Sequence, residues 1–172
     1  WIHSTARVTT PGRALAVALD GDLLAVACGE AGLLLVDVRD PAHPVTAPPI
    51  ALPGFARDVA LQDGKAFVAA RAAGLHVVDA SSRTIRAIDT PGLASAVALD
   101  SGFAFVADNE AGLAVVDVRD PEASVLVASV DMPAPATGVA VRGDWAYVTR
   151  LGGGLFVFDI SDPAAPVPAL TI

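Results

Sequence analysis

Charged side chains recur in four variable segments of this 172-residue sequence, and they are the residues best suited to chemistry. The segments are 28–30, 70–72, 108–110 and 150–152, and two further charges stand at 57 and 58. Carboxylates beside arginines can act as a general acid and base, or bind a carboxylated sugar. The candidate residues for binding a ligand or a partner are Glu30, Arg57, Asp58, Arg71, Asp108, Asn109, Glu110 and Arg150.

Other chemistry-bearing patterns are weaker. The histidines His3, His43 and His76 fall in three unrelated parts of the sequence, so they do not predict a shared metal site. The acidic tripeptide at 20–22 is too short for a calcium loop, and the Arg-Gly-Asp at 142–144 occupies the same place in its unit. Neither a Gly-x-Ser-x-Gly elbow nor a phosphate loop is present. We therefore predict no catalytic residue, no metal site and no cofactor.

An internal repeat of about forty residues positions these side chains. Four units align without gaps at their most regular positions, which recur at intervals of 42, 38 and 42 residues. The markers that share these intervals are Gly32, Gly74, Gly112 and Gly154; Asp37, Asp79, Asp117 and Asp159; and Val17, Val59, Val97 and Val139. Three independent markers with one spacing establish the repeat.

Each unit contains four short apolar runs separated by turn residues. The first run consists largely of small residues and is followed by a tight hairpin signal such as Asp63-Gly64. The third run is apolar at consecutive positions, as in Leu33 to Val36, which is typical of a strand covered on both faces. Four antiparallel strands in a unit of this length predict an all-β fold, a β-propeller made of four-stranded blades.

The motif Gly-Leu-x-Val-Val-Asp-Val-Arg-Asp-Pro, preceded by Val-Ala-Leu, resembles the LVIVD-repeat family of β-propeller proteins. The resemblance covers essentially the whole chain. The second copy departs from it, because Ala80-Ser81-Ser82-Arg83 replaces the Asp-Pro turn, and we expect a tighter turn there. The resemblance implies a bacterial or archaeal propeller that is secreted or associated with the cell surface, and it implies no catalytic residues.

We interpret residues 1–172 as one propeller domain or a fragment of one, with blade units at about 13–54, 55–92, 93–134 and 135–172. Residues 7–12 match the end of the second unit, so we expect residues 1–12 to form the outer strand of a preceding blade. The chain would then be part of an array of roughly six to eight blades, open at both ends. In the alternative interpretation, this first strand completes the last blade and closes a four-bladed ring.

Composition restricts the partners. The net charge is −8 and Lys65 is the only lysine, so a nucleic-acid partner is not expected. Apolar residues make up 53% of the chain but occur in short runs, so we expect no transmembrane segment. The single cysteine, Cys28, excludes an intrachain disulfide and is expected to be a small buried side chain.

These observations leave three functional hypotheses open. The first is a non-catalytic interaction or assembly module of a secreted or cell-surface protein, which binds a protein partner or the missing blades of its own array. The second is a propeller that binds a small ligand, or acts as a hydrolase or lyase, at the mouth of its channel. The third is a subunit that docks through an open blade edge. The expected location is extracellular, cell-surface or periplasmic.

Overall fold

The computed structural model describes residues 6–171, which form four four-stranded antiparallel sheets, numbered here blades 1 to 4. Every sheet pairs its strands in chain order. The strands are β1 (Ala16–Asp20), β2 (Leu23–Ala27), β3 (Leu33–Asp37) and β4 (Val45–Thr46) in blade 1; β5 (Asp58–Gln62), β6 (Lys65–Ala69), β7 (Leu75–Asp79) and β8 (Ile85–Ile88) in blade 2; β9 (Ala96–Asp100), β10 (Phe103–Ala107), β11 (Leu113–Asp117) and β12 (Val125–Val130) in blade 3; and β13 (Ala136–Arg142), β14 (Trp145–Arg150), β15 (Leu155–Asp159) and β16 (Val167–Thr171) in blade 4. The predicted blades are confirmed.

The hairpin between the first two strands of each blade follows from its turn residues. In blade 2 the loop residues Asp63 and Gly64 have φ angles of 51° and 70°. Positive φ at both central positions is the type I′ pattern, whose twist matches that of the flanking strands. The registers Gln62↔Lys65 and Asp100↔Phe103 leave two residues in each of these loops, as the sequence predicted.

The aspartate that ends each third strand caps the following turn. Asp117 accepts hydrogen bonds from the backbone nitrogen and the guanidinium of Arg119. In blade 2, Asp79 instead accepts from the backbone nitrogens of Ser81 and Ser82, and Arg83 closes the turn with a φ of 62°. The tighter turn expected in the second unit is therefore present.

The repeated glycine before each third strand is required by a close approach of the backbone. Gly74 has a φ of 72°, and a Cβ atom there would lie 2.3 Å from the carbonyl oxygen of Ile88. Only glycine combines that conformation with that contact at no steric cost. The glycine thus lets the end of the fourth strand lie close against the backbone that leads into the third strand.

Three hydrophobic cores lie between successive blades, so each inner blade is covered on both faces. They include Leu35 and Val68 between blades 1 and 2, Phe67 and Val116 between blades 2 and 3, and Phe105 and Phe158 between blades 3 and 4. Burial of an aliphatic or aromatic side chain of this size contributes roughly 1.5–3 kcal/mol. The consecutive apolar residues of the third strands are explained because alternate side chains enter different cores.

The four blades form an arc, and the chain is a partial propeller. Successive inner strands pack together, β1 on β5, β5 on β9 and β9 on β13, but within residues 6–171 β1 and β13 share no comparable contact. The closed four-bladed alternative is wrong, because blade 4 contains its own outer strand, β16, paired with β15. No strand is assigned within residues 6–12, where Val8 packs against blade 1; the start of the outer strand expected at 1–12 lies outside the described residues.

Candidate functional site

One face of the arc carries two kinds of loop, which together form the rim. The loop after the second strand of each blade meets the segment that enters the next blade, through the isolated bridges Gly29↔Ala56, Arg71↔Ala94 and Asn109↔Ala136. These backbone hydrogen bonds fix the loops against one another. The rim predicted from the sequence is therefore a single connected surface, although its predicted residues play different parts in it.

A cavity of about 460 Å³ opens on the rim between blades 1 and 2. Its lining combines three cationic side chains with two apolar ones, and they come from the entries to β1 and β5 and from the loop after β6. The lining residues are Arg13, Leu15, Phe55, Arg57 and Arg71. Two of the eight predicted residues, Arg57 and Arg71, are therefore brought together.

Sequence reasoning missed Arg13, Leu15 and Phe55. The alignment of the units places Arg13 at the position of Phe55, one blade earlier, and Leu15 at the position of Arg57. The prediction used the loop after the second strand and overlooked the entry segment in blade 1. A comparison of charges at equivalent entry positions would have identified Arg13.

Asp108 is not a solvent-exposed rim carboxylate, which corrects the prediction. It is fully buried and accepts hydrogen bonds from the hydroxyl of Thr90 at 2.8 Å and the backbone nitrogen of Gly92 at 2.7 Å. Burial raises the pKa of Asp108, while the bonds from Thr90 and Gly92 oppose that rise. Its role is to tie the loop of blade 3 to the segment that enters this blade.

Asp58 also has a structural contact. Its carboxylate accepts a hydrogen bond of 2.9 Å from the backbone nitrogen of Val97, so it links the inner strands β5 and β9. Asn109 adopts a φ of 53° and pairs with Ala136, which asparagine tolerates well because its short polar side chain favours the left-handed region. Both residues connect neighbouring blades, and neither lines the arginine cavity.

The remaining predicted residues lie apart from one another. Glu30 is exposed and lines a neighbouring cavity of about 440 Å³ that shares Arg13 and Phe55 with the first. Glu110 is exposed on the loop of blade 3. Arg150 lies over the ring of Phe156, 5.5 Å from its centroid, and is not part of the arginine cavity. The eight residues therefore do not form one site.

No group of three or more potential metal ligands occurs within residues 6–171. His43 pairs with Asp40 at 2.7 Å in an exposed turn, whereas His76 is buried and its Nε2 lies 3.1 Å from the carbonyl oxygen of Ala73. Burial lowers the pKa of His76. His3 lies outside the described residues, and Cys28 is buried as expected. The described part of the chain contains no helix long and apolar enough to span a bilayer.

The outer side of blade 1, named here the first face, exposes side chains whose equivalents in the inner blades are buried. Val17 of β1 is 65% exposed, whereas the equivalent Val59 and Val97 are 5% and 7% exposed. Leu19, two residues further along β1, is exposed as well. Because successive side chains of a strand point to opposite faces, Val17 and Leu19 lie on the side of blade 1 that faces away from blade 2. On that same side Val26, Leu34 and Val36 are buried and Val8 packs against them, so the exposed part of the first face is its β1 edge.

The outer side of blade 4, named here the last face, also exposes side chains whose equivalents in an inner blade are buried. Tyr147 of β14 is 39% exposed, whereas Phe105, at the same position of blade 3, is 1% exposed in the core shared with blade 4. Trp145 is exposed beside Tyr147 on the same strand face. Aromatic side chains of this size are usually buried or used in contacts. The last face and the β1 edge of the first face thus expose positions that lie in blade-to-blade cores elsewhere in the chain.

Solved structures share this fold. AztD from Citrobacter koseri matches with a TM-score of 0.69 and 24% identity over 92% of this chain and 46% of that one. The β-propeller domain of Cps50 (Swd1) from Myceliophteria thermophila matches with a TM-score of 0.75 and 11% identity over 92% of this chain and 58% of that one. The computationally designed protein Ika4 matches with a TM-score of 0.73 and 10% identity over 92% of this chain and 98% of that one. This chain therefore spans less than half the length of AztD.

Sequence comparisons identify the repeat. No curated protein sequence matches the chain. The profile of the LVIVD repeat matches four times, at residues 11–47, 53–85, 91–132 and 134–171. These matches coincide with the four blades and cover most of the chain. The chain belongs to the LVIVD-repeat family.

Proposed function

We propose that this chain is a non-catalytic interaction and assembly module, whose two end faces bind further blades of the same repeat type. The observation that carries this function is the exposure of Val17, an apolar side chain that its equivalents Val59 and Val97 bury against a neighbouring blade. Burial of such surface is the main driving force for association. An exposed half of a repeated interface is a ready binding surface for the other half.

The two end faces are complementary because each of the three interfaces between the blades of this chain joins the same two sides of a blade. In each internal interface, the Val17-type side of one blade packs against the Tyr147-type side of the blade before it. Head-to-tail association would form the same kind of apolar contact between two chains. A blade from the same chain or from a second copy satisfies the same geometry.

The region that matches this chain is part of a longer chain in one solved structure and nearly the whole chain in another. The match covers 46% of the AztD chain, where the remaining length belongs to the same polypeptide, and 98% of the Ika4 chain. When the 172-residue chain is produced alone, a second copy is the available partner. We therefore expect the isolated chain to self-associate head to tail.

We further propose that the module works outside the cytoplasm, at the cell surface or in the periplasm. The support for this location is the resemblance to secreted and surface-associated propellers described above. Protease added to intact producing cells, and then to cells with a permeabilised outer membrane, tests it. Digestion in either sample is expected, whereas digestion only after complete lysis would contradict the location.

Sedimentation velocity across a range of protein concentrations tests the assembly function. The unmodified chain is expected to shift from monomer to larger species as concentration rises, and Val17→Asp is expected to remain monomeric because it places a charge in the apolar contact. Val125→Asp is the matched control, since Val125 is 54% exposed on β12, the outer strand of the inner blade 3, and lies on neither end face. A monomer at every concentration, or equal loss of association in both variants, would overturn the proposal.

A further inference from the structure

Three guanidinium groups surround the rim cavity without a carboxylate partner. Arg13, Arg57 and Arg71 make no ion pair and no side-chain hydrogen bond within the described part of the chain. The sequence has 19 acidic residues and a net charge of −8, so carboxylates are not scarce. Grouped cations repel one another, and a bound anion would relieve that repulsion.

Most other arginines of the described chain have a partner. Arg119 pairs with Asp117, Arg83 donates to the carbonyl oxygen of Pro48, and Arg86 donates to that of Ser124. Such contacts hold the guanidinium in place and use its donors. The three cavity arginines keep their donors available, and they come from three separate segments of two blades.

Arg71 occupies a backbone conformation that favours other residues. Its φ is 55°, and the equivalent positions hold Gly29, with a φ of 62°, and Asn109, with a φ of 53°. Glycine and asparagine enter the left-handed region readily, whereas a long side chain does so at a cost. Arg71 is thus a long cationic side chain at a position where the two neighbouring blades hold residues with small side chains, and it lines the cavity.

An aromatic ring forms the apolar part of the cavity. Phe55 packs over Gly29, where an added Cβ atom would lie 3.2 Å from the ring carbons. Leu15 is the second apolar residue of the lining. The cavity is open to solvent, and its lining combines apolar walls with a few polar groups, as small-molecule sites do.

We propose that this cavity binds the oxyanion of a small aromatic ligand, a carboxylate or a phosphate. The guanidinium groups of Arg13, Arg57 and Arg71 would donate charge-assisted hydrogen bonds to the oxyanion, for which their forked geometry is suited. The ring of Phe55 would stack against the aromatic part of the ligand. The residues that line this site differ from the end-face residues Val17, Leu19, Trp145 and Tyr147.

Isothermal titration calorimetry with phenyl phosphate, phenylacetate and inorganic phosphate at low salt tests the site. At least one aromatic oxyanion is expected to bind, more tightly than inorganic phosphate, and to weaken as salt is added. Tighter binding of phenyl phosphate would assign the phosphate as the natural group, and tighter binding of phenylacetate the carboxylate. No binding of either aromatic anion, or equally tight binding of inorganic phosphate, would overturn the proposal.

Variants that copy the residues found at equivalent positions of blade 3 test whether the arginine side chains bind the ligand. Arg57→Ser and Arg71→Asn introduce the residues that Ser95 and Asn109 supply at the same positions, so the fold is expected to be retained. Each is expected to weaken binding about tenfold, the factor that corresponds to loss of a hydrogen bond to a charged group. Arg142→Ser removes an exposed arginine at the hairpin of blade 4 and should leave binding unchanged. Equal losses in all three variants would show a nonspecific charge effect and reject the site.

Discussion

The inner and the terminal blades carry the same strands but bury them differently. Val97 lies in the core between blades 2 and 3, whereas Val17, at the same position of the repeat, is exposed. Phe105 and Tyr147 form the corresponding pair at the other side of a blade. The local sequence is similar in each pair, so the neighbouring blade determines burial. A blade is therefore a two-sided unit that is stable only to the extent that both sides are covered.

The aromatic pair gives the largest expected difference. Phe105→Ala should lower the free energy of unfolding by about 3–5 kcal/mol, because it removes a buried ring and leaves a cavity. Tyr147→Ala should lower it by less than about 1 kcal/mol when the chain is monomeric, because the side chain is partly exposed. Urea denaturation of both variants at low protein concentration measures this difference. Equal losses would show that Tyr147 is buried in solution.

The valine pair tests the opposite side of the blade. Val59→Ala should cost about 2 kcal/mol, since it removes two buried methyl groups from the core shared with blade 1. Val17→Ala should cost little in the monomer. The same denaturation experiment applies, and a large loss in Val17→Ala at low concentration would mean that another part of the chain covers Val17 itself in solution.

The buried carboxylate of blade 3 gives a smaller effect. Asp108→Ala leaves the hydroxyl of Thr90 and the backbone nitrogen of Gly92 without their acceptor, and the expected loss is about 1 kcal/mol. Blade 2 holds Ala70 at this position, which shows that the fold accepts a small apolar residue there. A variant as stable as the unmodified chain would show that Asp108 does not stabilise the link between the loop of blade 3 and the segment that enters this blade.

The pH dependence compares this buried carboxylate with a turn carboxylate. Hydrogen bonds from the Arg119 side chain and backbone lower the pKa of Asp117 from 3.8, so its stabilising contribution is present above that pH and is lost as the pH falls through the folded-state value. Burial raises the pKa of Asp108 from 3.8. The part of the folding free energy that arises from this shift is therefore present below 3.8 and is lost as the pH rises through the folded-state pKa. Thermal unfolding of Asp117→Asn between neutral and acidic pH should show a smaller acid-induced loss than the unmodified chain. An unchanged loss would contradict this assignment.

The sequence predicts the blades well because their markers have local physical causes. Gly74 is required by a positive φ and by a close backbone contact. Asp79 caps the turn that follows it through a hydrogen bond to a residue three positions later. The shorter second copy is also visible in its turn residues. Features of this kind are encoded over a few neighbouring positions, and a repeat shows them four times.

The rim was less predictable because its residues act across segments. Nothing near Asp108 in the sequence distinguishes a solvated loop carboxylate from one that binds Thr90, eighteen residues earlier. Arg57 and Arg71 were identified as rim charges, but their convergence with Arg13 depends on how two blades pack. Charge at a loop position is visible in sequence, whereas its partner, or the absence of one, is a property of the fold.

Mixing two singly blocked chains tests the assembly of this partial propeller most directly. Val17→Asp leaves the last face intact and Tyr147→Asp leaves the first face intact, so each variant alone should be monomeric by sedimentation velocity. Their equimolar mixture should form a heterodimer through the one remaining pair of intact faces, since association is head to tail. A mixture that stays monomeric while the unmodified chain associates, or dimers of either variant alone, would contradict the account.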